Sequence, residues 1–340
     1  MPGSTIATME ILDLRHLSSS DLRPLMESET RRWAQRMAWD YTTSAEMVLR
    51  YVDAKILPGY AAMEDGRASG YAFFVYEGSK GVIGDLFVAR EPVAGGGEQK
   101  LKKPGDQELE EKLLTHVIET LQQSPGVSRI EAQLLLHDEG SIVRPFLQNG
   151  FRRWTRLFMM KSLAEAAPRA ARVNGAPPAA ASLMNVEIRR WTEQDFQPSA
   201  AIITASYRGH LDAEINDQYR GIAGSLRFLN NIVRFPGCGQ FDPESSLVAI
   251  DRLTQTQIGL LLCSRVRSDV GHVTQVCVVP EHQGKGIGRA LIANCCRHLR
   301  KKKISGLSLT VTSGNAPAVA LYERLGFTIE HKFDAFVWVK

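Results

Sequence analysis

The segment VCVVPEHQGKGIGRALI, Val276 to Ile292, constrains this chain more than any other. A β-type apolar run stops at Pro280, a loop with Gly284, Gly286 and Gly288 follows, and an amphipathic helix opens at the last glycine. A helix start exposes unpaired backbone N–H groups and the positive end of the helix dipole. Glycines there let a phosphate approach the backbone where Cβ atoms would obstruct it. Lys285 and Arg289 can add charge-assisted contacts. The spacing Gln283-x-x-Gly286-x-Gly288 fits neither the dinucleotide fingerprint nor the P-loop. A strand–turn–helix unit inside an α/β domain is the remaining reading.

The flanking sequence extends that unit. Strand-like runs at 186–191, 246–250, 258–266 and 272–279 precede the helix 288–302, with a polar helical region between about Pro198 and Leu229. A strand at 307–311, a helix at 316–325 and two strands, FTIEH and AFVWVK, follow. The first part repeats the rhythm: MEILDLR, a helical stretch around Arg32–Val52, strands GYAAM, SGYAFFVYE and VIGDLFVA, helix Glu108–Gln123, strand RIEAQLLL, helix Val143–Asn149 and strand RLFMMKSL. Between the parts, AEAAPRAARVNGAPPAAASLMN at 164–185 has no apolar period and reads as an Ala/Pro-rich linker. The expected organisation is α/β (α+β): domain 1–163, linker 164–185 and domain 186–340, each domain a mixed central sheet flanked by helices.

Composition narrows the function classes. The chain of 340 residues carries a net charge of +4, which suits anionic ligands without implying nucleic acid. Cys238, Cys263, Cys277, Cys295 and Cys296 show no zinc-ligand spacing, so no metal is expected and the thiols read as reduced. A cytoplasmic location, without membrane span or secretion signal, is expected on the same reading. The chain is expected to act as a monomer or homodimer.

Downstream of the glycine loop stands NAPAVALYERLGF, Asn315 to Phe327, after a strand at matching distance. Together the two segments resemble the GNAT acetyltransferase superfamily over about Val186 to Lys340. The resemblance implies two tandem GNAT-like domains, with acetyl-coenzyme A as cosubstrate and transfer to a primary amine of a small molecule or peptide by direct attack in a ternary complex. Gln283, Gly284, Gly286 and Gly288 match the pyrophosphate loop. Val276, Val278 and Val279 lie on the strand that pairs with the pantetheine arm, and Asn315 matches a cofactor contact. Tyr322 matches the proton donor to the departing thiolate, a role suited to a phenol. The general base is open: His272 lies near the matching strand position, and Asp212 and Glu214 are candidates from the substrate-covering region.

The first domain resembles the same fold without its cofactor machinery. Alignment places Phe146 opposite Tyr322, Glu139 opposite Asn315, and Glu108 and Glu110 opposite Gly286 and Gly288. Acidic groups near a helix start serve its dipole but repel a pyrophosphate. Gly95, Gly96 and Gly97 lie too far from that helix and read as a surface loop. Two other classes stay open: a non-catalytic acyl-coenzyme A sensor, and an enzyme modifying protein N-termini or lysines through the basic run Arg297–Lys303.

Overall fold

The computed structural model describes residues 9–89, 104–164, 183–235 and 239–340. They form two compact units, Met1–Thr155 with Phe333–Lys340, and Arg156–Lys332. Residues 165–182 of the linker reading, the glycines Gly95 to Gly97, and Cys238 lie outside the described residues.

In the first unit the strands run β1 (Met9–Asp13), β2 (Gly59–Glu64), β3 (Arg67–Glu77), β4 (Lys80–Val88), β5 (Arg129–Gln133) and the end of β13 (Thr328–Val339). Neighbours are antiparallel except β4 and β5, and β13 joins through Ala335↔Gln133 to Val339↔Arg129. Helix α3 (Pro104–Gln123) covers one face with Leu113, Leu114, Val117, Ile118 and Leu121, each fully buried at the i, i+3, i+4 spacing of one helix face. The helical stretch expected around Arg32–Val52 is two helices, α1 (Ser19–Met37) and α2 (Thr42–Asp53). Ala38 separates them in the left-handed region at φ 52°. Because α3 begins at Pro104, Glu108 and Glu110 lie beyond its first turn, unlike the placement expected from the sequence. Glu110 is buried, its Oε1 3.7 Å from His137 Nδ1. The helix α4 (Val143–Gln148) sets Phe146 against Phe336, ring centroids 3.9 Å apart.

The second unit follows the same plan: β7 (Val186–Arg190), β9 (Leu247–Asp251), β10 (Gln257–Arg267), β11 (Val270–Val278), β12 (Gly306–Thr312) and the end of β6 (Arg152–Ser162), with the short β8 (Gln240–Phe241) on β10. Only β11 and β12 are parallel. On one face pack α8 (Ile287–Lys301) and α9 (Ala316–Arg324), with Leu291, Ile292, Cys295 and Leu299 in the core. On the other pack α5 (Phe196–Ser206) and α7 (Ile222–Arg234).

Each unit thus takes its sixth strand from the far side of the linker. Residues 156–162 of β6 pair with β12, and residues 335–339 of β13 pair with β5, so the division by packing differs from the division by sequence. The two strands expected at the chain end are one. Lys332-Phe333-Asp334 looks like a turn, yet Asp334 is buried with its carboxylate accepting from Gly140 N (2.7 Å) and Arg153 Nε (2.8 Å). The polar helical region expected between about Pro198 and Leu229 is α5, the four-residue α6 (Asp212–Ile215) and α7, with Gly209 at φ 70° ending the first. Stacking of Tyr207 on Tyr219, centroids 4.3 Å apart, closes that fold-back.

Candidate active site

In the second unit β11 and β12 pair from Val270↔Gly306 to Val273↔Leu309 and then part. Beyond that point Gln275–Val278 stay paired with β10, and the β12-facing side has no strand partner among the described residues. A cavity of about 660 Å³ occupies the split. It continues along the loop to the start of α8 and is bounded below by Tyr322.

Local backbone rules shape the upper end. Gly284 and Gly286 adopt φ 74° and 83°, in the left-handed region that glycine enters without penalty. Gly286 caps α8 with no side-chain hydrogen bond, and no acidic residue stands in the first turn. A Cβ at Gly284 would meet nothing within 4 Å, and one at Gly288 only Leu321 Cδ2 at 3.9 Å. The surroundings are therefore open for a ligand against the helix start, where Arg289 also lines the cavity. Gln283 Nε2 donates to Val278 O (3.0 Å), tying the loop to the end of β11. An unpaired strand edge leading to a helix start without a side-chain cap fits an extended arm ending in phosphates.

At the lower end lies a polar cluster. Asp212 Oδ1 accepts from Arg156 Nη1 (3.0 Å) and from the Thr312 hydroxyl. Asp212 Oδ2 lies 3.7 Å from His210 Nδ1, which also accepts the Asp212 amide N–H (3.1 Å). His210 Nε2 is 3.3 Å from Asn315 Nδ2, while Asn315 Oδ1 caps α9 by accepting from Ala318 N (3.3 Å). Tyr322 is buried on α9, and burial, with the negative charge of Asp212 second, pushes its phenol well above the usual tyrosine range. Its hydroxyl is therefore protonated at neutral pH.

Of the residues singled out from sequence, Tyr322, Val276, Val278, Gln283, Gly284, Gly286, Gly288, Arg289 and Asn315 line the cavity. Val279, Lys285 and His272 do not. Val279 N donates to Ile258 O (3.0 Å). His272 is buried beside Phe158 with Nδ1 2.9 Å from Ser308 Oγ, and burial lowers its pKa to about 4. The ring is off the cavity lining, and burial makes it a weaker base than an ordinary histidine. Glu214 is half-exposed and bridges Arg220 (3.1 Å), away from the lining. Arg156, Thr312 and His210 are the members of the cluster that sequence inspection missed. They come from three distant segments and form no local motif.

The family description "Acetyltransferase (GNAT) family" matches residues 189–327, which hold the entire cavity lining. A mycothiol acetyltransferase of Thermobifida fusca (strain YX) is 38% identical over 98 residues, covering 26% of this chain and 30% of that relative. This chain therefore spans less than a third of that relative's length. The fold matches a GCN5-related N-acetyltransferase from Sphaerobacter thermophilus with TM-score 0.64 at 16% identity, covering 97% of this chain and 95% of the other. A tandem GNAT protein from the clavulanic acid biosynthesis pathway aligns over 98% of both chains with TM-score 0.54 at 15% identity. The two units, the split strand pair and the glycine-capped helix stand beside these likenesses, and residues 189–327 match the acetyltransferase (GNAT) family.

Proposed function

We propose that this protein is an acetyl-coenzyme A-dependent N-acetyltransferase acting on a primary amine by direct attack in the second unit's cavity. The observation that carries it is one cavity joining an unpaired strand edge and glycine-lined helix start to a protonated phenol and a carboxylate. Gly284, Gly286, Gly288 and Arg289 would hold the pyrophosphate, and the backbone of Val276–Val278 the pantetheine arm. When bound, acetyl-coenzyme A supplies a thioester whose acyl carbon is open to an amine.

We assign receipt of the acceptor to Asp212, which lines the cavity. Its Oδ1 is engaged by Arg156 and Thr312, so Oδ2 is the oxygen that faces incoming N–H groups. It attracts the ammonium form and takes the proton that the amine must lose. Tyr322 keeps its proton on Oη until negative charge develops on sulfur, then releases it there. The ammonium gives up two protons in becoming an amide: one passes to Asp212 and on to solvent, and the other replaces the proton that Tyr322 gives to sulfur, so the products are an amide, a thiol and one released proton.

The test is acetyl transfer from acetyl-coenzyme A to a panel of amines, aminoglycosides, polyamines and N-terminal peptides, reading thiol release and acetylated product together. Product from at least one class supports the proposal. Tight coenzyme A binding with no product from any class would favour a sensor instead.

Tyr322→Phe is expected to lower kcat by about 10²-fold, the lower end for a positioned acid because a thiolate leaves tolerably well unprotonated. Coenzyme A affinity and thermal stability should change little, since Phe146 fills the aligned place in the first unit and is fully buried. Unchanged kcat with a competent acceptor would assign the proton to solvent.

A further inference from the structure

Arg156 stands on β6, ahead of residues 189–327 that match the acetyltransferase family. Strands β6 and β12 are antiparallel with Arg156 opposite Thr312, so both side chains leave the sheet on one face, their Cβ atoms about 5 Å apart. From there Arg156 Nη1 donates to the Thr312 hydroxyl (2.8 Å) and to Asp212 Oδ1 (3.0 Å). The Thr312 hydroxyl accepts from the guanidinium and donates its own hydrogen to the same Asp212 Oδ1. Asp212 lines the cavity, whereas Arg156 and Thr312 do not. A ligand in the cavity therefore meets the carboxylate and not the two groups that hold it.

Asp212 needs such holding because its own support is short. It opens α6, a helix of four residues, and one helical turn has little stability by itself. Two donors on Oδ1 fix the rotation of the carboxylate and leave Oδ2 outside their reach. The first unit shows that the strand position does not itself require an arginine. Its parallel pairs Lys80↔Arg129 to Ile83↔Ala132 match Val270↔Gly306 to Val273↔Leu309 of the second. Counting on from them sets Leu135 level with Thr312, and Phe333 of β13 level with Arg156. Phe333 is fully buried, so the shared plan accepts an apolar side chain there. The second unit instead sets a guanidinium 14% exposed against a carboxylate 13% exposed, an arrangement with a desolvation cost that packing alone does not call for.

We propose that Arg156 is a positioning residue for acetyl transfer, holding Asp212, together with Thr312, in the orientation that receives the amine. The sequence ahead of the family match thereby supplies a group to the reaction in the second unit. The assignment rests on the acetyltransferase reading above, since Arg156 acts only through the carboxylate that reading gives to the acceptor.

The test is a double-mutant cycle between Arg156→Met and Asp212→Asn in the 340-residue chain, read with the amine of the panel above that is turned over fastest. Arg156→Met should lower kcat/KM for that amine by about 10–100-fold, the effect of a reacting group held out of place. Coenzyme A affinity, read by calorimetry, should stay within about threefold. In the Asp212→Asn background the same change should alter kcat/KM by less than about threefold, because a residue acting through Asp212 has nothing left to position. Arg156→Lys keeps a charged donor on a shorter stem and should return kcat/KM to within about tenfold of the parent. Arg156→Phe, which copies the first unit, takes the place of the methionine variant in the cycle if that one fails to fold. Equal fractional losses with and without the Asp212 carboxylate would make Arg156 a packing residue and overturn the proposal. So would kcat/KM within about threefold of the parent once the guanidinium is gone. A parent chain that binds coenzyme A and acetylates no amine would strike the acetyltransferase reading itself, and this assignment with it.

Discussion

Gly288→Glu is expected to weaken coenzyme A binding by at least about 100-fold, the effect of setting like charges several kcal/mol against each other at the helix start. Position 288 is a cleaner probe than position 286. Gly286 has φ 83°, where any other L-residue costs about 1–2 kcal/mol, so its variants mix strain with ligand loss. Gly288 lies inside α8, and a Cβ there reaches only Leu321 Cδ2 at 3.9 Å. Glutamate in a first helical turn favours the helix, and replacing glycine removes about 0.5–1 kcal/mol of penalty. Thermal stability should hold or rise while binding disappears. Gly288→Ala is the control, slightly stabilising and still able to bind. Undiminished affinity in the glutamate variant would mean that the pyrophosphate is held elsewhere.

Asp212→Asn is expected to reduce kcat/KM by about 10²–10⁴-fold with coenzyme A affinity preserved. Arg156 and Thr312 both donate, so the asparagine must turn its oxygen toward them and present its NH₂ to the cavity. That group can neither attract an ammonium nor take its proton. The substitution also strands the Arg156 charge, whose side chain is 14% exposed beside Asp212 at 13%. Breaking a buried pair costs about 3–5 kcal/mol at most, and this partial exposure places the cost below that bound. Adding Arg156→Met in the same chain removes the stranded charge. Recovery of stability without recovery of turnover identifies the loss as chemical. Turnover within about threefold of the parent in a folded Asp212→Asn protein would exclude Asp212 as the base.

The parts of this site that were legible in the sequence are those written locally. Gln283 to Gly288 announce themselves because the φ values and the helix start that they serve lie within six consecutive residues. Asn315 and Tyr322 share one cap and one helix, α9. The Asp212 cluster is different. Asp212 meets Thr312 and Arg156 only because a fold-back between α5 and α7 approaches the end of β12, and β6 lies along that strand. No spacing rule connects positions 156, 212 and 312. His272 drew attention through its place on the strand, but its ring is buried against Ser308 of the neighbouring strand and stays off the cavity lining. Likewise Asp334 reads as a turn residue until Gly140 and Arg153 are seen to satisfy it. Tertiary partners decide these positions, and the halves of the chain trade strands to provide several of them.

Isothermal titration of coenzyme A into the 340-residue chain tests most directly whether the second unit's cavity is the acyl-donor site. The glycine-capped start of α8 and the split between β11 and β12 belong to the second unit, so one site per chain is expected, competitive with acetyl-coenzyme A. Two sites per chain, or no binding at concentrations that saturate acetyl transfer, would contradict it.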